Sequence, residues 1–241
     1  MSGVYPPICR EAMEVFEKRG RFTVVLFGAS NTERYMPVLH WGDVLETGLR
    51  MKFGRKFHII NSGICGNNTR DALARFDRDV AAFHPDAVIV TLGGNDCNPK
   101  PEKFVPGDEF GANLDAIVAR VRALGALPIL QTYYKMDLEA MDPARARDFL
   151  AKMELVRQAA ERNRVFLVDQ YRLFECIPEE TLRYKLLLNP MHVNESGNIL
   201  IGIFLLRHFG IDAADIRHGE KLAAMQDLYR KISSAFPADA N

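Results

Sequence analysis

Five short apolar segments alternate with longer amphipathic segments along this chain, and this alternation constrains the fold more than any other feature. The short segments are rich in β-branched and aromatic residues and are apolar on both faces, as the strands of a covered parallel sheet are. The predicted strands occupy residues 22–27, 57–60, 87–92, 128–134 and 165–168. Apolar residues recurring every three or four positions predict helices over residues 70–83, 110–124 and 145–162. The order of these segments predicts an α/β fold, a three-layer α/β/α sandwich around a central parallel sheet of about five strands.

The chain has 241 residues, which is enough for one sizeable core and too few for two comfortable domains. We expect the main domain to occupy residues 22–209, with an N-terminal helical extension over 1–21 and a C-terminal helical extension over 210–241 packed on it. Helical patterns at 8–19 and 213–234 support these extensions. They either pack on the domain or form the contact of a homo-oligomer.

The charge composition argues against a nucleic-acid partner or an anionic membrane, since Lys+Arg and Asp+Glu are both 31 and the formal net charge is +0. The longest apolar run, residues 199–206, fits one buried helix and is too short to span a membrane. The first 22 residues lack the apolar core of a signal peptide. The four cysteines contain no CxxC pair, so we expect free thiols and a cytoplasmic protein.

Cofactor and metal sites have no recognisable sequence signature here. The six histidines show neither HxH nor HExxH spacing, and no glycine-rich phosphate loop is present. We therefore predict no cofactor and no metal.

Residues suited to acyl transfer follow several of the predicted strands. In an open α/β sheet, ligands bind outside the carboxyl ends of the strands. Ser30 follows the first strand through Gly28, Gly66 follows the second, Asn95 follows the third, and His192 lies beyond the fifth. Acyl transfer needs a nucleophile, a base and donors for an oxyanion. Each residue alone also has an ordinary structural explanation, such as a helix N-cap for Ser30, which we place at the N-terminus of the next helix.

The candidate residues for acyl transfer lie in four short sequence blocks, and these blocks together are more specific than any single residue. They read GAS at 28–30, NSGICGNNT at 61–69, GGND at 93–96 and NPMHVN at 189–194. From about residue 22 to about residue 207, this pattern resembles the SGNH hydrolase superfamily of GDSL-type lipases and esterases. The resemblance implies a flavodoxin-like sandwich and a serine hydrolase that cleaves a small ester, with a short acyl or O-acetyl group, through an acyl-enzyme. It implies Ser30 as nucleophile, His192 as base, and the Ser30 N–H, Gly66 N–H and Asn95 amide as oxyanion donors.

Two residues depart from the family pattern. Ala29 replaces the usual aspartate before the nucleophile, which is a minor change. Asn189 replaces the acid of the triad, and this opens three interpretations. Asn189 orients His192 as a weaker third member, or another acceptor does so, such as a backbone carbonyl, Asp96 or Asp169. In the third interpretation, hydrolysis has been lost and the protein is a non-catalytic or weakly active ligand-binding module. An acyltransferase that uses the same acyl-enzyme is a further alternative.

Several neighbouring residues have weaker claims to a role. A thiol nucleophile, Cys65 or Cys97, is conceivable, although small residues beside the site explain both better. Tyr133 and Tyr134 follow the fourth strand and either pack in the core or line an acyl or alcohol pocket. Glu33 is expected to favour the dipole of a helix that begins after Ser30.

Overall fold

A computed structural model describes residues 7–34, 36–212 and 220–233. Its centre is a five-stranded sheet in the order β2-β1-β3-β4-β5, in which all neighbouring strands are parallel. The strands are β1 (Phe22–Gly28), β2 (Phe57–Gly63), β3 (Ala87–Thr91), β4 (Leu127–Gln131) and β5 (Phe166–Val168). The chain steps outward from β1 to β2 and then crosses to the other side of β1. The strand order therefore reverses between β1 and β3, where ligands bind in sheets of this type.

Helices cover both faces of the sheet. They are α1 (Pro7–Arg19), α2 (Trp41–Phe53), α3 (Thr69–Asp79), α4 (Gly107–Ala123), α5 (Pro143–Asn163), α6 (Gln170–Glu175), α7 (Glu179–Thr181), α8 (Glu195–His208) and α9 (Glu220–Ser233). Short 3-10 turns lie at Ala81–Phe83 and Leu138–Ala140, and a π-helical turn covers Leu182–Leu186. The π turn leads into a small antiparallel hairpin of β6 (Leu187–Asn189) and β7 (His192–Val193).

Two apolar cores form on opposite faces of the sheet, because successive side chains of a strand point to opposite sides. Val24 and Leu26 of β1 join the core that contains α1, α2 and α8. Val25 and Phe27 join the core that contains α3 and α4. Helix α8 is buried over residues 197–206, which explains its continuous apolar sequence. The predicted α/β/α sandwich and its five parallel strands are thereby confirmed.

The helix predicted directly after Ser30 is wrong. The N–H groups of Thr32 and Glu33 both donate to Ala29 O, at 3.0 and 2.8 Å, and form a single turn that does not continue. Pro37 follows, and proline disfavours helical backbone at the residue before it. Helix α2 begins only at Trp41. Ser30 therefore lies in a turn, ahead of a loop, and not at a helix N-terminus.

The terminal helices contribute to the same core as the sheet. Ile8 and Ala12 of α1 and Ile232 of α9 are buried in it. The division into residues 1–21, 22–209 and 210–241 stays a prediction, and residues 1–6, 213–219 and 234–241 lie outside the described part of the chain. Among the described residues, no helix is both long and apolar enough to cross a membrane.

Candidate active site

The turn after β1 places Ser30 at the carboxyl edge of the sheet, and Gly28 makes that turn possible. A Cβ atom at position 28 would lie 2.2 Å from Thr32 Oγ1 and 2.7 Å from the carbonyl oxygen of Thr91 at the end of β3. A larger residue would therefore push β1 and β3 apart or displace the turn that carries Ser30. Close approach of backbone to backbone, rather than an unusual φ, is the reason for glycine here.

Ser30, His192 and Asn189 form one chain of hydrogen bonds. Ser30 Oγ lies 2.9 Å from His192 Nε2, and His192 Nδ1 lies 3.1 Å from Asn189 Oδ1. The hairpin β6–β7 produces this arrangement because it pairs Asn189 with His192 across its turn. Residues separated by 162 positions in sequence, Ser30 and His192, thus meet at the edge of the sheet.

The carboxamide of Asn189 is fixed in one orientation by its other partners. Its Oδ1 also accepts hydrogen bonds from the backbone N–H groups of Met191 and His192, each at 3.0 Å. A flipped amide would set its NH₂ group against these two donors, so Oδ1 faces the imidazole. His192 Nδ1 must then carry a proton, which leaves Nε2 free to accept from Ser30 Oγ–H. This is the tautomer that a general base needs.

The electrostatics of His192 differ from those of a triad with an acid. Burial lowers the pKa of His192 below its ordinary value of 6.5. The two candidate replacement acids bond elsewhere. Asp96 accepts from the backbone N–H and the hydroxyl of Thr69, at 2.9 and 2.6 Å. Asp169 binds the guanidinium of Arg157 at 2.7 Å.

A tight turn presents the Gly66 N–H. Asn67 N donates to Ile64 O at 3.3 Å, and Gly66 occupies the third position of this turn with φ +76°. A positive φ at that position is typical of a type II turn and favours glycine. Among the described residues, neither the Gly66 N–H nor the Ser30 N–H donates a hydrogen bond. Both donors are therefore available to a ligand.

Asn95 follows β3 and reaches the same loop. Its Nδ2 donates to Asn67 O at 2.9 Å, which fixes the orientation of the amide and leaves its second N–H for another acceptor. Gly94 lets the loop pack on Tyr133, since a Cβ at position 94 would lie 2.6 Å from the ring. Tyr133 thus supports the loop from the core.

Arg75 is a residue of this site that sequence reasoning missed. It lies on α3 and is 8% exposed. Its guanidinium donates to Gly28 O at 2.8 Å, to Ser62 O at 2.9 Å and to Asn67 Oδ1 at 2.6 Å. One buried cation thus ties together the backbone before Ser30 and the loop after Gly66. The sequence did offer one sign of this role, because Arg75 falls on the face of the amphipathic helix α3 that is buried.

A second histidine near Ser30, His40, has a structural role as a helix cap. His40 caps α2, where its Nδ1 accepts from the Gly42 N–H at 3.0 Å. Burial lowers the pKa of His40 to about 4, so it stays neutral at physiological pH. The next residue, Trp41, donates from Nε1 to Asn31 O at 2.8 Å and holds the residue after Ser30. His192, rather than His40, is the histidine that contacts the serine.

The remaining candidates take structural roles. Glu33 does not begin a helix, and its Oε2 accepts from the Cys65 N–H at 2.8 Å. Cys97 is buried, its Sγ donates to Gly94 O at 3.0 Å, and burial raises the pKa of its thiol. Ser30, and neither thiol, occupies the position against His192 Nε2. No group of three or more His, Cys, Asp or Glu side chains within the described ranges is placed to hold a metal ion.

A small cleft opens over Ser30 and His192, with an empty volume of about 320 Å³. Its lining is mixed, and comprises Ser30, Asn31, Glu33, Arg34, Met36, Val38, His40, Tyr134, His192, Val193 and Asn198. A larger cleft of about 1080 Å³ lies where β4 and β5 begin, and includes Leu127 and Phe166. That cleft contains none of the residues predicted for acyl transfer.

The parallel sheet in the order β2-β1-β3-β4-β5, covered by helices on both faces and with Ser30 against His192 at its carboxyl edge, has the architecture of the α/β/α ester hydrolases. The model of the GDSL-like Lipase/Acylhydrolase family matches residues 26–199, well over half of the chain. The chain belongs to this family, within the SGNH hydrolase superfamily, and is a carboxylic ester hydrolase.

Individual relatives agree with this assignment. The acetylxylan esterase of Geobacillus stearothermophilus is 29% identical over 160 residues, which cover 64% of this chain and 73% of that protein. The crystal structure of an acetylxylan esterase from the same organism superposes with a TM-score of 0.68 at 25% identity, and covers 82% of this chain and 97% of that one. The isoamyl acetate-hydrolyzing esterase 1 homolog of Rattus norvegicus is 37% identical over 108 residues, 42% of either chain.

Proposed function

We propose that this esterase cleaves small carboxylic esters through an acyl-enzyme on Ser30. The hydrogen-bonded chain from Ser30 through His192 to Asn189 is the observation that carries the proposal. His192 Nε2 takes the proton of Ser30 Oγ as the oxygen attacks the ester carbonyl carbon. The same proton then passes from His192 to the leaving alcohol. In the second half, His192 takes a proton from water, the hydroxide attacks the acyl carbon, and Ser30 leaves with that proton.

The oxyanion formed in each half would be held by three donors: the N–H groups of Ser30 and Gly66 and the Nδ2–H of Asn95. These donors are fixed before substrate arrives, so their alignment costs little reorganisation in the transition state. The chemistry needs no cofactor.

A small acyl group suits this cleft best. The cleft is small, and its empty volume of about 320 Å³ includes space that is open to solvent. Met36 and Val38 offer apolar contacts, while Glu33 and Arg34 are polar. The relatives are named for acetyl esters of a polysaccharide and of a branched alcohol. We therefore infer an acetyl or other short-chain ester as substrate.

Hydrolysis of p-nitrophenyl esters tests this proposal. We expect turnover of the acetate, and kcat/KM should fall from the butyrate to the octanoate, because the small cleft offers few apolar contacts to a longer chain. Saturable binding of the acetate without release of nitrophenol would favour the alternative of a non-catalytic module, which rests on Asn189. Faster acyl transfer to an added alcohol than to water would favour the acyltransferase instead.

Replacing Asn189 by aspartate should improve the base. In the native protein, activity should persist to a pH below 6.5, because burial lowers the pKa of His192 and a base must be neutral to act. A carboxylate at position 189 favours the imidazolium, so Asn189→Asp should raise kcat and move the acidic limb of the pH–rate profile to higher pH. Position 189 is exposed, so solvent screens the new charge. We expect a gain of about tenfold, far below the roughly 10⁴ that separates Asp from Asn in a serine protease triad.

Asn189→Ala gives the complementary measurement. It removes the acceptor of three N–H groups and should lower kcat at least about tenfold through loss of orientation. Leu188→Ala is a matched control, since Leu188 is an exposed neighbour on β6 with a side chain that is 52% exposed. Unchanged kcat in both Asn189 variants would show that another group holds His192.

The cytoplasmic location and a homo-oligomer through the terminal helices stay predictions. Fractionation of cells and light scattering of the purified chain would test them.

A further inference from the structure

The hydroxyl of Tyr134 joins the two peptide groups that flank His192. Tyr134 lies three residues beyond β4, and its side chain is buried in the core. The hydroxyl donates to Met191 O at 2.8 Å and accepts from the Val193 N–H at 3.2 Å. One side chain thus bonds the backbone immediately before and immediately after the histidine.

This contact complements the one made by Asn189. Asn189 Oδ1 accepts from the N–H groups of Met191 and His192, so it holds the segment from within the hairpin. Tyr134 holds the same segment from the end of β4, and the Asp137 N–H adds a bond to Pro190 O at 2.9 Å. The hairpin that carries His192 is therefore anchored to the central sheet and does not depend on its own two short strands alone.

The neutral partner of His192 gives this anchoring its importance. A carboxylate would attract the imidazolium and hold the ring by charge, whereas a carboxamide contributes only one neutral hydrogen bond. The direction of the ring then depends more on how firmly its backbone is fixed. A misplacement of about 1 Å in a catalytic group can cost about 10²-fold in rate.

We propose that Tyr134 is a positioning residue, which sets the orientation of His192 through the peptide groups on either side of it. This proposal rests on the proposed role of His192 as the base. The residue acts through its hydroxyl, and its ring serves the core. Its effect should therefore appear in the chemical step and should require His192.

Tyr134→Phe tests the proposal because it removes one oxygen and keeps the ring. We expect kcat for p-nitrophenyl acetate to fall about 10- to 100-fold, with KM changed less than about twofold. Tyr171→Phe is the matched control. Tyr171 is also buried, at 5% exposure, belongs to the same core, and its hydroxyl makes no hydrogen bond among the described residues. The control should keep kcat within about twofold of the native value.

The same substitution made in an enzyme that lacks His192 distinguishes a positioning role of Tyr134 from a general loss of stability. In a His192→Ala enzyme, adding Tyr134→Phe should leave the residual rate unchanged, because there is no base left to position. A structural defect would lower that residual rate as well. Native-protein hydrogen exchange gives a reading without any variant: the Val193 N–H should be protected from solvent exchange.

Four results would overturn the proposal. They are a Tyr134→Phe enzyme as active as Tyr171→Phe, a loss confined to KM, an equal loss in the His192→Ala background, and rapid exchange of the Val193 N–H. Failure of the underlying function looks different. If His192→Ala alone leaves turnover intact, then His192 is not the base, whatever Tyr134 does.

Discussion

Ser30→Ala should lower kcat by about 10⁶, the loss seen when the nucleophile of a serine protease triad is removed. The hydroxyl oxygen is the atom that forms the acyl bond, and it lies 2.9 Å from His192 Nε2. The variant should also lose its covalent reaction with a fluorophosphonate. Mass mapping of the native adduct should place the label on the peptide that contains Ser30.

Ser62→Ala provides a matched control for this experiment. Ser62 is as buried as Ser30, both at 9% exposure, and it also lies at the carboxyl end of a strand. Its hydroxyl donates to Asp79 O at 2.8 Å and not to a histidine. We expect Ser62→Ala to label at the native rate. A label on Cys65, or labelling that survives in Ser30→Ala, would show that Ser30 is not the nucleophile.

The fold could be predicted because local sequence patterns report burial directly. A strand covered on both faces must be apolar throughout, and a helix packed on a sheet must repeat its apolar residues at every third or fourth position. Helix α8 shows how strongly this holds, since all its residues from 197 to 206 are buried. The pattern fails where a side chain leaves the stripe. Phe83 and Leu150 are apolar residues within the predicted helices 70–83 and 145–162, yet they are 42% and 40% exposed.

Tertiary contacts between distant segments could not be predicted in the same way. Arg75 is polar, and its burial depends on tertiary contacts, since its guanidinium donates to the carbonyl groups of Gly28 and Ser62. The hairpin β6–β7 has strands of 3 and 2 residues, too short to show a period. The segment after Ser30 forms a loop because Pro37 interrupts helical backbone and α2 begins only at Trp41.

The orientation of His192 could be predicted from the sequence only in part, because it depends both on a local turn and on a contact with a distant residue. An asparagine whose side chain accepts from backbone N–H groups two and three residues later is a local turn motif, and the sequence NPMH permits it. The motif predicts the turn, but it does not predict that the Asn189 oxygen also accepts a hydrogen bond from the His192 ring. Only the position of Ser30 across the cleft shows that the same oxygen also sets the tautomer of a candidate base.

Asn95→Ala should lower kcat by about 10²–10³ with little change in KM, as loss of one oxyanion donor does. The Nδ2 group already donates one hydrogen to Asn67 O, so its second N–H has a fixed direction before substrate binds. Such a donor gains strength as charge develops on the carbonyl oxygen, and the ground state benefits much less. The affinity of a trifluoromethyl ketone, which forms an oxyanion on the enzyme, should therefore fall in parallel with kcat/KM.

Asn98→Ala separates this effect from a general disturbance of the loop. Asn98 lies three residues further along, is also half-buried, and uses its Oδ1 to accept from the Lys100 N–H at 3.0 Å. It should keep kcat within about twofold, because its carboxamide bonds within its own loop and not to the loop after Gly66. If Asn95→Ala raises KM and leaves kcat unchanged, Asn95 binds the ground-state substrate. If both variants lose activity equally, the shape of the loop, rather than the Asn95 amide, controls the rate. A selective loss of kcat in Asn95→Ala would mean that the amide acts on the oxyanion itself.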